Sequence, residues 1–204
     1  ASSGPVKNAP EIPLYLRAAA AMESRTFPAF VFDPSRGDEW ASRFSVDGNS
    51  QVEAAWPVRR FCYEDEDLQK ISEDIAFTFV DFAAADGRYA GSFADVPRSK
   101  WLDAMVPVSA FLELDAEAAA DKVPYILMVD ESNGLHKVII EVRLIEAARR
   151  CRQMWRNLQE LGGIDNSHAR NLLAKEKELW EQEKEKELAA LKSRPAPAAD
   201  APAP

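Results

Sequence analysis

Two apolar runs in the C-terminal half of the chain have the composition of β-strands. Residues 123–129 and 135–142 are rich in Val, Ile and Leu, and the cluster Asp-Glu-Ser-Asn-Gly at 130–134 separates them. Asn133 and Gly134 tolerate the positive φ angles that a tight turn needs. The pattern therefore predicts a β-hairpin over residues 123–142.

Helical spacing dominates two other stretches. Residues 64–67 are acidic, as favoured at a helix N-terminus, and apolar residues follow at steps of three and four, which predicts a helix over 64–86. A second helix is predicted over 144–161, ending at Gly162 and Gly163. The apolar positions of the first are Leu68, Ile71, Ile75, Phe79 and Phe82, and those of the second are Leu144, Ala148, Cys151, Trp155 and Leu158.

The C-terminal region changes composition twice. Asn166 and Ser167 can cap a helix on which Leu172, Leu173, Leu179 and Trp180 mark one apolar face as far as Trp180, and residues 181–187 are polar and mostly charged with mixed signs. Pro and Ala then dominate residues 193–204, a composition typical of an extended, disordered linker. We therefore expect a linker at 1–10, one domain at 11–164, a charged helix at 165–192 and a Pro/Ala linker at 193–204.

The N-terminal third has weaker patterns. A short helix is predicted over residues 14–22, and the aromatic run 27–32 reads as an edge strand or extended segment because it contains Pro28. Residues 33–60 carry turn residues but also Trp40, Phe44 and Trp56, so we expect a packed loop.

These elements predict an α+β fold. We expect a small antiparallel sheet with the 123–142 hairpin at its centre, edged by residues 27–32. The helices at 64–86 and 144–161 should pack on this sheet, and the long charged helix and the Pro/Ala tail should follow it.

Charge and cysteine content narrow the function classes. The 204 residues carry a net charge of −9, which disfavours nucleic acid and anionic membranes as partners. No apolar run approaches the roughly 20 residues of a membrane span. Cys62 and Cys151 are the only cysteines. They cannot by themselves hold an iron–sulfur cluster or a structural zinc ion, and two thiols favour a reducing, cytoplasmic compartment over a secreted scaffold.

Candidate catalytic groups are few. His136 and His168 are the only histidines, and each is expected to be structural. A hydrolase-type site would need Asp33, Asp81 and His168 to converge. Asp81 lies among bulky apolar residues, so an ion pair with Arg25 or Arg43 is the favoured interpretation. Phosphate-loop and nucleophile-elbow motifs are absent from the sequence, and we predict no catalytic, cofactor-binding or metal-binding residue.

Two features suggest an interface. Arg149, Arg150 and Arg152 form the one basic cluster, which could contact an acidic partner or be a solvated helix face. Trp180 lies beside the charged run, and Trp is enriched at protein interfaces.

Several strings of the sequence stand out as a set. They are SRTFPAF at 24–30, FDP at 32–34, WASRF at 40–44, WP at 56–57, FTFVDF at 77–82, KVP at 122–124, LQELGGI at 158–164 and NSHA at 166–169. Together they resemble a segment of very large bacterial proteins similar to the pyruvate (2-oxoacid):ferredoxin oxidoreductases. The resemblance covers roughly residues 11–185.

The resemblance implies a non-catalytic accessory or docking domain of a redox enzyme. Thiamine diphosphate and iron–sulfur clusters would belong to the parent assembly, and the partners would be its other domains or subunits. None of the strings matches a cofactor-binding motif of that family, so no catalytic residue is carried over. A free-standing interaction module that uses the charged helix remains the alternative.

Overall fold

The computed structural model describes residues 12–65 and 67–192, which fall into two compact units divided after Asp165. Two 3-10 turns, Gly87–Ser92 and Arg98–Lys100, accompany the regular elements. The helices and strands of the first unit are α1 (Leu14–Glu23), β1 (Val31–Phe32), α2 (Trp40–Arg43), β2 (Phe44–Ser45), β3 (Val58–Glu64), β4 (Lys70–Ala76), α3 (Phe79–Ala84), β5 (Phe93–Val96), β6 (Met105–Pro107), α4 (Val108–Phe111), α5 (Ala116–Ala119), β7 (Val123–Val129), β8 (Leu135–Ile140) and α6 (Val142–Leu161). The second unit contains α7 (Ser167–Lys192).

The predicted hairpin is confirmed as β7 and β8, which pair from Tyr125↔Ile139 to Val129↔Leu135. It forms the centre of a four-stranded sheet in the order β5-β8-β7-β6, in which β5 is antiparallel to β8 and β6 is parallel to β7. In the turn only Asn133 takes a positive φ, of 61°. The α+β fold is thus observed, with one parallel pair in its main sheet.

The expected edge strand at 27–32 does not join this sheet. Its last two residues form β1, which pairs with β2 in a separate two-stranded sheet through Val31↔Ser45 and Phe32↔Phe44. The prediction of that edge was wrong because Pro28 indicates an edge position but does not indicate which strand pairs with the segment.

The predicted helix over 64–86 is also wrong. Residues 70–76 form β4, which pairs antiparallel with β3, and only Phe79–Ala84 is helical. Ile71 and Ile75 are four residues apart, a spacing that suits a strand as well as a helix because four is a multiple of two. Glu64 is the last residue of β3, and the Asp65 carboxylate accepts hydrogen bonds from the Asp67 and Gln69 amides.

The main core lies between the four-stranded sheet and the helices α3 and α6. Val80, Val138 and Ala148 are each 0 % exposed, and they come from α3, β8 and α6 respectively. The core therefore joins the confirmed hairpin to the confirmed helix 144–161, as the spacing predicted. The remaining buried members are Trp56, Phe79, Ala83, Ala84, Val108, Leu112, Ile126, Leu144 and Ile145.

A second, smaller core forms around Trp155. It contains Phe44 and Val46, and the Trp155 ring is fully buried. The Trp155 indole donates to the carbonyl of Ala54 at 2.9 Å, and the Arg25 guanidinium carbon lies 3.9 Å from the indole centroid. These packing contacts and the hydrogen bond hold residues 44–57 against α6.

The second unit is the predicted charged helix. The Asn166 side chain accepts a hydrogen bond from the Ala169 amide at 3.0 Å, which confirms the expected cap. Its apolar residues Leu172, Leu173, Leu179 and Trp180 are all exposed. The linkers predicted at 1–10 and 193–204 lie outside the described residues.

Candidate functional site

A cluster of exposed aromatic rings is the feature of the first unit that best fits a binding function. Phe30, Phe32 and Trp40 are 59 %, 48 % and 57 % exposed, and we call these three residues the aromatic surface. Phe32 and Trp40 have ring centroids 5.5 Å apart, which is a direct aromatic contact. Phe32 and Trp40 therefore form one apolar patch, and Phe30 contacts the same Phe44 ring that Trp40 contacts.

The aromatic surface rests on a buried ring. Phe44 is 7 % exposed, and its centroid lies 5.7 Å from that of Phe30 and 6.1 Å from that of Trp40. Phe44 packs in turn in the small core with Trp155. The exposed rings are thus supported from below by a rigid part of the fold.

Backbone contacts fix the segment that presents the rings. The buried Asn49 side chain donates to the Ala29 carbonyl at 2.6 Å and accepts from the Ala29 amide at 2.9 Å. On the other side of Phe30, β1 pairs with β2 and the Asp33 amide donates to the carbonyl of Arg43 at 2.8 Å. The chain is held on both sides of the rings, so presenting them requires no ordering of a loop.

Charged side chains flank the aromatic surface. Asp33 accepts from the Ser35 hydroxyl and amide and pairs with Arg36 at 3.2 Å. Arg43 pairs with Asp38 at 3.3 Å. An apolar centre beside a polar, paired margin is the arrangement found in protein–protein interfaces, where Trp, Phe and Arg are enriched.

The size of the patch separates it from ordinary surface scatter. A large aromatic side chain buries about 150–250 Å² when covered, so three half-exposed rings present on the order of 300 Å² of apolar area. The largest patch of a typical monomer is about 300–600 Å² and is often functional. One side of a standard interface covers about 800 Å², so the aromatic surface could form the centre of such an interface.

Trp40 was expected to be packed with Phe44 and Trp56. Phe44 and Trp56 are buried, but the expectation is wrong for Trp40, which lies in α2 with its ring open to solvent. The hydrophobicity of the loop was visible in the sequence, whereas the side on which each ring lies depends on the β1–β2 pairing. Alternation over residues 30–32 was the available signal, because Phe30 and Phe32 share one face of an extended chain.

The basic cluster at 149–152 divides between surface and interior. Arg149 and Arg150 are exposed, and Arg149 pairs with Glu146 at 2.8 Å. Arg152 is only 9 % exposed, and its guanidinium donates to the Leu112 carbonyl and to Glu113. The expectation that Arg152 lies on an open interface is therefore wrong, because this side chain holds α6 to the end of α4.

Trp180 is 75 % exposed on α7, in agreement with a position at the surface of that helix. Leu172, Leu173 and Leu179 are exposed as well. The second unit thus offers apolar side chains of its own.

The two aspartates proposed for a hydrolase-type site are each bonded to near neighbours in the sequence. Asp33 is bonded to Ser35 and Arg36, and His168 belongs to the second unit. Asp81 accepts from the Thr78 amide and hydroxyl, both at 2.7 Å, so the predicted pairing with Arg25 or Arg43 is wrong. Burial raises the pKa of Asp81 to about 6, although the hydrogen bonds from Thr78 oppose this shift.

Asp81 and Thr78 form a capping box at the start of α3. The Thr78 hydroxyl accepts from the Val80 amide at 3.2 Å. The spacing Thr-x-x-Asp was a sequence signal for this role.

The described residues give no support for a metal site, a disulfide or a membrane-spanning helix. Within residues 12–65 and 67–192, His, Cys, Asp and Glu side chains form no group of three or more that could hold a metal ion. Both cysteines are free thiols, Cys62 at the surface and Cys151 partly covered. The helices of the described ranges include none that is both long and apolar enough to cross a membrane.

Comparisons with known proteins add no assignment. No protein-family model, curated protein or solved structure matches this chain.

Proposed function

We propose that this chain is a non-catalytic docking domain of a cytoplasmic redox enzyme similar to the pyruvate (2-oxoacid):ferredoxin oxidoreductases. The observation that supports docking is the aromatic surface, in which Phe30, Phe32 and Trp40 stay exposed above the buried ring of Phe44. Exposing such rings to water is unfavourable, and a partner that covers them would gain the corresponding hydrophobic free energy.

The redox assignment rests on the resemblance of the strings at 24–30, 40–44 and 158–164. Two of these strings contain residues of the aromatic surface, because 24–30 ends at Phe30 and 40–44 runs from Trp40 to Phe44. In this proposal thiamine diphosphate and iron–sulfur clusters are held by other domains or subunits of the assembly. This chain would position those parts relative to one another.

The proposal is tested on the natural assembly, purified without oxygen through a tag on this chain. Iron, acid-labile sulfide and thiamine diphosphate are measured together per mole of chain. We expect all three in a fixed ratio. Their absence from the purified assembly would remove the redox assignment and leave only the docking role of the surface.

The docking role is tested by hydroxyl-radical footprinting of the same assembly. We expect Trp40 to be protected in the assembly and reactive after dissociation, because its ring would lie in the interface. Trp40→Ala combined with Phe32→Ser should weaken the association, while circular dichroism shows that the domain stays folded. Equal reactivity of Trp40 in both states would refute the role of this surface.

A second candidate is a free-standing interaction module that binds through α7. It is favoured by the exposed Leu172, Leu173, Leu179 and Trp180. Trp180→Ala is the matched variant, since it removes an exposed tryptophan from the other unit. Loss of the partner in Trp180→Ala, with retention in Trp40→Ala, would favour the module that uses the helix.

A further inference from the structure

His136 lies between two carboxylates. Its Nδ1 is 2.9 Å from Oδ1 of Asp95, and its Nε2 is 3.2 Å from Oδ2 of Asp130. An ionised carboxylate can only accept hydrogen bonds, and a neutral imidazole carries a proton on one nitrogen alone. Both contacts are satisfied together only when His136 carries protons on both nitrogens.

The two carboxylates belong to different parts of the fold. Asp95 is on β5, the edge strand that pairs with β8. Asp130 is the first residue of the turn between β7 and β8, and its Oδ1 accepts from the Ser132 amide, the Ser132 hydroxyl and the Gly134 amide at 2.7–2.8 Å. His136 therefore connects the edge of the sheet to a turn that is organised around one carboxylate.

This turn also touches the β3–β4 hairpin. The Glu64 amide donates to the Asn133 carbonyl at 2.9 Å, and Glu64 forms an isolated bridge with Gly134. Glu64 is the last residue of β3 and pairs with Lys70 beside the hairpin tip. The position of that tip thus depends on the turn that Asp130 holds.

Few other charges act on the imidazole. Lys137, the next residue on β8, places its Nζ 4.7 Å from the Trp101 ring centroid and 4.3 Å from the Tyr125 ring centroid. Glu64 approaches the turn through its backbone. Burial lowers the pKa of His136, but the hydrogen bonds and charges of Asp95 and Asp130 outweigh burial, so the pKa lies above its ordinary value of 6.5.

We propose that His136 is a proton-dependent latch that fixes the 130–134 turn, and with it the tip of the β3–β4 hairpin, to the main sheet. With the proton bound, the imidazolium joins Asp95 to Asp130. When the proton leaves, one of the two nitrogens faces a carboxylate without a hydrogen, and the two lone pairs repel. The turn and the hairpin tip then open locally while the core of Val80, Val138 and Ala148 stays closed.

The direction of the pH dependence follows from the raised pKa. The stabilisation is fully present below the unfolded value of about 6.5 and is lost as the pH rises through the higher folded value. The latch is therefore closed below about pH 6.5 and opens as the pH rises through the higher folded value. This inference does not depend on the redox assignment.

The protonation state is tested by long-range ¹H–¹⁵N NMR of the histidine rings at about pH 6. We expect both nitrogens of His136 to be protonated. His168, the only other histidine of the chain, serves as an internal reference in the same spectra. A neutral His136 ring under these conditions would overturn the proposal.

The latch itself is tested by amide hydrogen exchange of Glu64 and Gly134 at about pH 6 and about pH 8.5, corrected for the intrinsic exchange rate. In the wild type and in the control variant His168→Gln, protection of both amides should fall by about tenfold or more between the two conditions. In His136→Gln it should be low at both. In Asp95→Asn the side-chain NH2 can donate to a neutral Nδ1 while Nε2–H donates to Asp130, so protection should stay high at both pH values. Unchanged protection in the wild type would refute the latch.

Discussion

Replacing Trp155 by Phe tests whether the small core holds residues 44–57 in place. The indole is fully buried, donates to the Ala54 carbonyl at 2.9 Å and lies under the Arg25 guanidinium. Phenylalanine keeps an aromatic ring at the site but has no N–H to donate. The variant therefore removes specific contacts while retaining most of the apolar character.

The expected cost can be estimated contact by contact. Leaving the Ala54 carbonyl without its donor costs about 1–2 kcal/mol. The weaker attraction of Arg25 to a smaller ring costs on the order of 0.5–1 kcal/mol, and the lost packing contacts cost about 1 kcal/mol. The free energy of unfolding should thus fall by about 3 kcal/mol. With a urea m-value of about 2 kcal/mol per molar, the midpoint should fall by about 1.5 M.

Urea unfolding followed by far-ultraviolet circular dichroism measures this shift. Trp180→Phe is the matched control, because the same substitution at a residue that is 75 % exposed should change stability by less than about 0.5 kcal/mol. If the two variants unfold at the same urea concentration, Trp155 does not anchor the loop and the account of the small core fails.

Three further predictions concern other parts of the first unit. Thr78→Ala removes the cap of α3 and should cost about 1–2 kcal/mol in the same urea assay, and a loss below about 0.3 kcal/mol would contradict the capping role. Asp81→Asn removes an acid whose folded pKa of about 6 exceeds the ordinary aspartate value of 3.8, so the wild type should lose stability relative to this variant as the pH rises through that range. Parallel pH dependence of the two proteins would refute the raised pKa. Arg152→Ala should destabilise the domain by about 2–3 kcal/mol because it breaks charged hydrogen bonds to the end of α4, whereas Arg149→Ala should change stability by less than about 0.5 kcal/mol, and similar values for both would show that Arg152 is not structural.

The parts of the fold that sequence reasoning recovered are those in which local pattern and tertiary packing agree. The β7–β8 hairpin has two β-branched runs around a turn, and α6 has an apolar stripe that lies entirely against the core. The prediction of a helix over residues 64–86 was wrong because the spacing of Ile71 and Ile75 fits both the helical and the strand period. Whether these residues form a strand depended on pairing with β3, whose sequence Val-Arg-Arg-Phe-Cys-Tyr-Glu has no regular alternation and gives no strong signal by itself.

The candidate site was only partly visible in the sequence for a related reason. The abundance of aromatic residues between 27 and 56 is plain, but burial of Phe44 follows from its packing with Trp155 of α6, about a hundred residues later, and the side on which Trp40 lies depends on the β1–β2 pairing. The same holds for Arg152, whose interior position is set by the Leu112 carbonyl on another element. Composition indicates that residue types common at interfaces are present, whereas tertiary contacts decide which of those residues are exposed.

The contacts that join α6 to residues 52–54 have a consequence for biosynthesis. Trp155 and Gln159 bond to Ala54 and Val52 across 101 and 107 residues of sequence. At about 5–20 residues per second, the ribosome needs on the order of 5–20 s to add that length. During this interval Phe30, Phe32, Trp40 and Phe44 have left the exit tunnel without the helix that supports them. Nascent chains arrested before residue 142 should therefore recruit chaperones through this stretch, and chains arrested after α6 has emerged should release them.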